Sequence, residues 1–262
     1  MKEVGDMTVS ERAEKLSDLD LARLKEVELA LLREFVEFAE KHQIEWQITF
    51  GTLLGAVRHR GFIPWDDDID LVLTKEMLAR FVAHKNFFPD HWSIRFATAK
   101  CVFKLCDVRY PIEEGGEKRF VALDLFTFNQ TNRLRSYAWA MKRFYGSERH
   151  SMAKWNLFRM ISGFYPCKKI SNCVMHYLEC LSYSEKVGRI FGEDCLCYDG
   201  GFDFIAIQDR YVYPISKRFL FEGMLLPGPA DAENVLRSIY GRNWSVPIHP
   251  SKRKGHVRKL YF

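Results

Sequence analysis

The chain has 262 residues, 47% of them hydrophobic and 15% aromatic, with a formal net charge of +5. That is enough apolar material for one large domain or two small ones, which excludes a disordered chain, and the modest charge does not by itself point to nucleic acid. No run approaches the ~18 consecutive apolar residues of a membrane span and the N-terminus has no apolar signal region, so the expected location is cytoplasmic, at most peripheral at the inner face of the cell membrane.

From Ser10 to about Gln43, Leu24, Val27, Leu31, Phe35 and Phe38 recur near a 3.6-residue period with charges between them, which predicts a long amphipathic helix or two in sequence. Ile44 to Phe50 alternates apolar and polar and reads as a strand ending at Gly51. A short helix is expected over Leu53 to His59, which puts Gly51 and Thr52 where a strand turns into a helix N-terminus. Backbone N–H groups there favour an anion.

The next segment carries the densest chemistry, with Arg58-His59-Arg60 followed by Asp66, Asp67, Asp68 and Asp70. In an extended chain side chains alternate faces, so Asp66, Asp68 and Asp70 project to one side, about 6.5–7 Å apart along the strand. Like charges so placed repel, and a hard divalent cation relieves them. Asp67 falls on the other face and is expected to meet solvent. A strand is expected from about Asp68 to Leu73, with Ile69, Leu71 and Leu73 facing the core. Thr74 is a candidate cap for a helix from Lys75 to about His84.

Trp92 to Ala97 and Cys101 to Cys106 are further strand candidates. Phe120 to Phe126 is an apolar run holding one charge, Asp124, and a lone carboxylate there is costly unless paired or bound to metal. It joins Asp68 and Asp70 if the two strands are neighbours. The segment from Arg133 to Lys169 has nine Lys/Arg against one acid, Glu148, interleaved with eight aromatics. Its simplest reading is a solvated helical face. Binding of nucleic acid or anionic lipid through this segment is the rival reading, from a different functional class.

Seven cysteines without a secretory signal read as reduced thiols. Cys173, His176 and Cys180 share one helix face, but their spacing matches no compact zinc motif, so buried thiols are preferred over a structural Zn²⁺. Towards the C-terminus a helix is expected from about Ala230 to Tyr240, closed by Gly241. His59 and His256 have no partner legible in the sequence, and core packing is the commoner fate of Phe62 and Trp65.

A glycine turn, a D-x-D on a strand and a third acid on a later strand is the arrangement that metal-dependent phosphoryl transfer asks for. The run from Gly51 to Asp70, G-T-L-L-G, basic residues, then G-F-I-P-W-D-D-D-I-D, closely resembles the signature of the LicD and fukutin-related family. Lys104, Asp124, Phe221-Glu222-Gly223, Pro227 with Pro229, Tyr240-Gly241 and Pro247 look like later landmarks, so the resemblance covers roughly residues 20–250 and is weakest from about 129 to 193.

The resemblance implies an α/β (α+β) fold of the polymerase-β nucleotidyltransferase type, a mixed sheet flanked by helices with a helical basic/aromatic insert. The expected division is a catalytic core over 1–128, the basic helical segment over 129–200 as a possible acceptor-binding part, and a C-terminal part over 201–262 packing back on the core. The implied enzyme is a transferase moving phosphocholine, or a similar phospho-alcohol, from a CDP-alcohol donor. Its acceptor is a hydroxyl of a cell-surface glycan such as lipopolysaccharide or teichoic acid, or of a lipid-linked precursor, and CMP is released.

Asp68 and Asp70 match the family's metal-binding pair, with Mg²⁺ or Mn²⁺ as the expected ion and Asp124 as the candidate third carboxylate, a metal ligand or general base. Asp66 would assist a second metal or orient the acceptor. Gly51, Thr52 and Gly55 would let backbone and hydroxyl approach the diphosphate, with Arg58 and Lys104 neutralising its oxygens. Glu222 either reaches the site or caps local structure. The rival enzyme is a nucleotidyltransferase releasing pyrophosphate. Nucleic acid is not an expected partner, and peripheral membrane contact is.

Overall fold

The computed structural model describes residues 16–97, 102–131, 195–198, 205–250 and 256–262. It opens with α1, Asp18–Lys41, whose N-cap Ser17 accepts a hydrogen bond from the Asp20 amide. The stripe Leu24, Leu31, Leu32, Phe35 and Phe38 is buried along one face, as the 3.6-residue period requires. Among the described residues no helix is long and apolar enough to cross a membrane.

The expected strand at 44–50 shrinks to β1, Gln47–Ile48, because α2 starts earlier than expected and runs Phe50–His59. Phe50 takes a φ of +40° as the chain turns from one into the other. Next come β2, Ile69–Thr74, and α3, Lys75–Ala83, which Thr74 caps by accepting from the Met77 amide at 3.1 Å. The strand β3 is Trp92–Ala97. The second expected strand is longer than its apolar stretch: β4 runs Val102–Glu114 and turns at Gly115 and Gly116, both with positive φ, into β5, Glu117–Thr131. Glycine carries no penalty there, so the hairpin closes tightly.

The remaining elements are β6 (Cys195–Tyr198), β7 (Ala206–Gln208), α4 (Asp209–Val212), β8 (Lys217–Phe221), β9 (Met224–Gly228), α5 (Ala232–Tyr240) and β10 (Val257–Leu260). Gly241, at φ +84°, ends α5. The fold is mixed α/β. Among the described residues one eight-stranded sheet follows the path β1-β2-β5-β4-β10, with β3 beside β4 and β6 joining β5 to β7, while β8 and β9 form a separate hairpin. Among the described strands only β2 and β5 pair in parallel. The α2 helix packs against β2, β8 and α5.

The parallel pair is the centre of the core. Ile69, Leu71, Val72 and Leu73 of β2 and Leu123, Leu125 and Phe126 of β5 are all buried, so both strands are covered on two faces. This corrects the expectation that β2 buries only alternate residues. Around the pair, Phe35, Phe38, Phe81, Phe88 and Trp92 make edge-on and tilted ring contacts between α1, α3 and β3. The basic segment 133–169 and the Cys173/His176/Cys180 set lie outside the described residues, and Cys106 is the one cysteine described as a thiol, buried and unpaired. Burial raises that thiol to about 11, which keeps it protonated and inert.

Candidate active site

The parallel register sets Asp70 directly opposite Asp124, and the antiparallel register of β4 sets Lys104 opposite Asp124 on its other side. Three charged residues thus stand in a row across the middle of the sheet, all of them buried. Asp68, just ahead of β2 and half-buried, completes the group. Ligand oxygens of Asp68, Asp70 and Asp124 all lie within 4.8 Å of one another. An all-carboxylate set of this kind fits a hard divalent cation such as Mg²⁺ or Mn²⁺.

The N-terminus of α2 is aimed at the same place. The Gly51 amide donates to Asp70 Oδ2 at 3.0 Å, and Thr52 Oγ1 accepts from the Asp70 amide at 2.8 Å. The helix terminus expected to meet a phosphate is therefore partly spent on fixing Asp70. Glycine at 51 has a steric reason as well: a Cβ there would stand 2.5 Å from Asp66 Oδ2 and 3.4 Å from Asp70 Oδ2. Asp66 and Asp70 both crowd this bare stretch of backbone.

These carboxylates are held out of water and against one another. Asp70 is raised well above the usual carboxylate range by burial, then by Asp68, Asp124 and Asp66, although the Gly51 amide opposes the shift. Burial and the neighbouring Asp68 and Asp67 push Asp66 up to about 8, with Lys25 and Arg58 pulling the other way. Lys104 is raised: burial lowers it, but Asp124 at 2.8 Å and Glu114 at 3.2 Å more than offset that. The ammonium expected to reach a phosphate is thus held between two carboxylates.

The loop carrying Asp66 is braced from three sides. Lys25 Nζ donates to the carbonyls of Ile63 at 3.1 Å and Pro64 at 3.0 Å and sits 5.0 Å over the Phe62 ring. Glu222 accepts from the Phe62 amide at 3.0 Å, while its own amide donates to the Arg60 carbonyl. Gly55 lies beneath, where a Cβ would come within 2.4 Å of the Gly61 carbonyl oxygen. The structure therefore sets Glu222 and Gly55 against the loop backbone, outside the group of three carboxylates.

Arg58 lies on the Asp66 side. Its Nη1 donates to the Trp244 carbonyl at 3.4 Å and its Nε to His59 Nε2 at 3.2 Å, so His59 has a partner after all. Its Nη2 is buried without a hydrogen-bond partner among the described residues.

Asp67 is not exposed as its alternation implied. It is 3% exposed and accepts the backbone amides of His256 and Val257, the latter at 2.8 Å, which ties the chain end to the loop. The loop residues 64–68 precede the strand rather than belong to it, so strand alternation does not govern Asp67.

Two neighbours of the site were not legible as such. Glu28 is 3% exposed on α1 and lines one cleft with Asp68, Asp124, Lys104, Glu114 and His256. Its position four residues after Leu24, on the apolar stripe, is the signal that marks it. Burial, then Asp68, Asp67 and Asp66, raises its carboxyl well above the ordinary range. His256 Nε2 stands 3.7 Å from Asp68 Oδ2, and nothing in its sequence surroundings indicates that approach.

Residues 43–164 match the model of the LicD/FKTN/FKRP nucleotidyltransferase domain. The chain is 32% identical over 123 residues to the lipopolysaccharide cholinephosphotransferase LicD of Haemophilus influenzae, a stretch covering 44% of this chain and 46% of that protein. It is also 48% identical over 46 residues to uncharacterized proteins of Rickettsia prowazekii and Rickettsia typhi, covering 18% of this chain and 17% and 15% of theirs. The matches span less than half the length of each of these relatives. Over its matched part, which includes α2, β2, β4 and β5, this chain is similar to the nucleotidyltransferase domain of the LicD and fukutin-related family.

Proposed function

We propose that the protein is a metal-dependent phospho-alcohol transferase that moves phosphocholine, or a similar phospho-alcohol, from a CDP-activated donor to a glycan hydroxyl and releases CMP. The observation that carries this reading is the register of β2 and β5, which brings Asp70 and Asp124 together with Asp68 at the N-terminus of α2. The similarity to a lipopolysaccharide cholinephosphotransferase supports the choice of donor and acceptor class.

In this reading Asp68, Asp70 and Asp124 hold the cation. Such an ion, when bound, neutralises charge on the diphosphate and makes an attacking hydroxyl more acidic. Lys104 holds Asp124 in place and compensates its charge. Thr52 and the Gly51 amide fix Asp70, and Arg58, with Nη2 uncommitted, neutralises a phosphate oxygen of the donor. Asp66 Oδ2, displaced towards neutral pH, orients the acceptor hydroxyl and takes its proton as oxygen attacks the phosphorus distal to cytidine. The absence of side-chain bulk at Gly51 keeps room for that carboxylate beside the phosphate path.

Incubation with Mg²⁺ and a panel of CDP-choline, CDP-ribitol and CDP-glycerol, with a glycan acceptor, tests the reading through CMP release. Pyrophosphate from a nucleoside triphosphate, without CMP from any CDP-alcohol, would instead establish the nucleotidyltransferase. Failure to turn over any donor, with Asp68→Ala indistinguishable from the parent, would remove the enzyme reading. Peripheral association with the membrane and a role for the basic segment in acceptor binding belong to the same proposal, and salt-sensitive liposome binding checks them.

A further inference from the structure

A second group of ligands shares Asp68 with the first. Oxygens of Asp67 and Asp68 and a ring nitrogen of His256 fall within 4.8 Å of one another. With Glu28 of α1 they line one end of the cleft whose other walls are Lys104 and Glu114 of β4 and Asp124 of β5. The cavity volume is about 20 Å³, room for an ion or a water and too small for an alcohol head group.

Two oxygens in this cleft lack a partner. Asp67 Oδ2 takes two backbone amides, but Asp67 Oδ1 is buried with no hydrogen-bond donor among the described residues, and the same is true of Glu28 Oε2. The nearby cations are committed elsewhere. Lys104 is paired with Asp124 and Glu114, and Lys25 donates to the carbonyls of Ile63 and Pro64. Buried carboxylate oxygens without donors are costly, and a bound cation offsets that cost. The 3.7 Å from His256 Nε2 to Asp68 Oδ2 is long for a hydrogen bond, yet two donors about 2.1 Å from a shared ion stand at most about 4.2 Å apart.

We propose that this cleft binds a second divalent cation on Asp67, Asp68 and His256, with Glu28 as the acid closing it from α1, and that Asp68 bridges it to the ion of the Asp68/Asp70/Asp124 group. The imidazole distinguishes the two positions. The all-oxygen group suits Mg²⁺ or Mn²⁺, whereas mixed carboxylate and imidazole donors favour Mn²⁺ or Zn²⁺ over Mg²⁺. The bridge rests on the first ion of the proposed function, whereas occupancy of the Asp67/Asp68/His256 position is a claim about ion binding alone.

Mn²⁺ binding to the full chain, followed by equilibrium dialysis and electron paramagnetic resonance, tests it. His256→Ala should lose one bound Mn²⁺ relative to the parent, and Asp124→Asn should lose a different one. The parent should show the exchange-coupled signal of a carboxylate-bridged pair, collapsing to that of an isolated ion in each variant. Glu28→Gln keeps the shape of the wall and should weaken the same Mn²⁺ by about tenfold or more. An unchanged Mn²⁺ count in His256→Ala, with no weakening in Glu28→Gln, overturns the proposal. An unchanged count in Asp124→Asn, with one Mn²⁺ still lost in His256→Ala, overturns the bridge and the first ion of the transferase reading but leaves the Asp67/Asp68/His256 position.

Discussion

Asp70 and Asp124 face each other across the only parallel strand pair among the described residues. They lie about fifty positions apart in the chain, yet hydrogen-bond register makes them nearest neighbours on adjacent strands. Parallel strands keep side chains at paired positions on the same face, so the two carboxylates point the same way. Their separation is set by the sheet and not by any flexible loop, which is how a rigid ion site is built.

Asp70→Asn and Asp124→Asn should each lower the rate of CMP release by about a hundredfold to a thousandfold, with the fold retained by circular dichroism. Thr52→Val removes the hydroxyl that accepts from the buried Asp70 amide. It should cost about 1–3 kcal/mol of stability in chemical denaturation, and Thr52→Ser should restore most of it.

Metal-free protein should lose stability as pH rises. Glu28, Asp66 and Asp70 have folded-state values above their unfolded ones, about 8 against 3.8 for Asp66, so the native state binds more protons between them. Stability then falls with rising pH across a window from about 4 to 8. Thermal melts in chelator should show a declining Tm over that range, and Mn²⁺ should reduce the decline at the alkaline end. Asp70→Asn should raise the chelated Tm at pH 8 by a few degrees, about 1 kcal/mol.

Lys104→Met strips the ammonium from Asp124 and leaves Glu114 to Arg119 at 3.5 Å. Breaking a buried pair this way costs about 3–5 kcal/mol, because uncompensated charge remains. A denaturation midpoint should show it, with partial recovery at low pH, where the carboxylates are protonated.

The two helix glycines should separate in their effects. Gly55→Ala drives a Cβ into the Gly61 carbonyl, backbone that cannot swing aside, and should cost about 1–3 kcal/mol by denaturation. At Gly51 the obstacle is the tip of the Asp66 side chain, which can rotate away. Gly51→Ala should therefore keep most of its stability while lowering the transfer rate.

Elements governed by local pattern were legible in the chain. The stripe of α1, the Thr74 cap, β3 and the Gly241 stop of α5 depend on residues a few positions apart, and their signals are correspondingly short-range. Boundaries that depend on pairing were not. The extension of β4 to Glu114 follows from the hairpin with β5 and the edge strand β10, and the early start of α2 from Phe50 at positive φ.

The sequence by itself determined which side chains carry the chemistry, because four carboxylates behind a glycine turn and one more in an apolar strand are dear to bury and point to a cation. Tertiary structure decided how they are shared. Register placed Asp124 beside Asp70, Lys104 was drawn to Asp124 and away from free solvent, and Asp67 was buried on backbone amides close to 190 positions distant. Glu28 and His256 joined the same cleft for the same reason. Strand pairing and burial act between segments far apart in the chain, where a local periodicity carries no information.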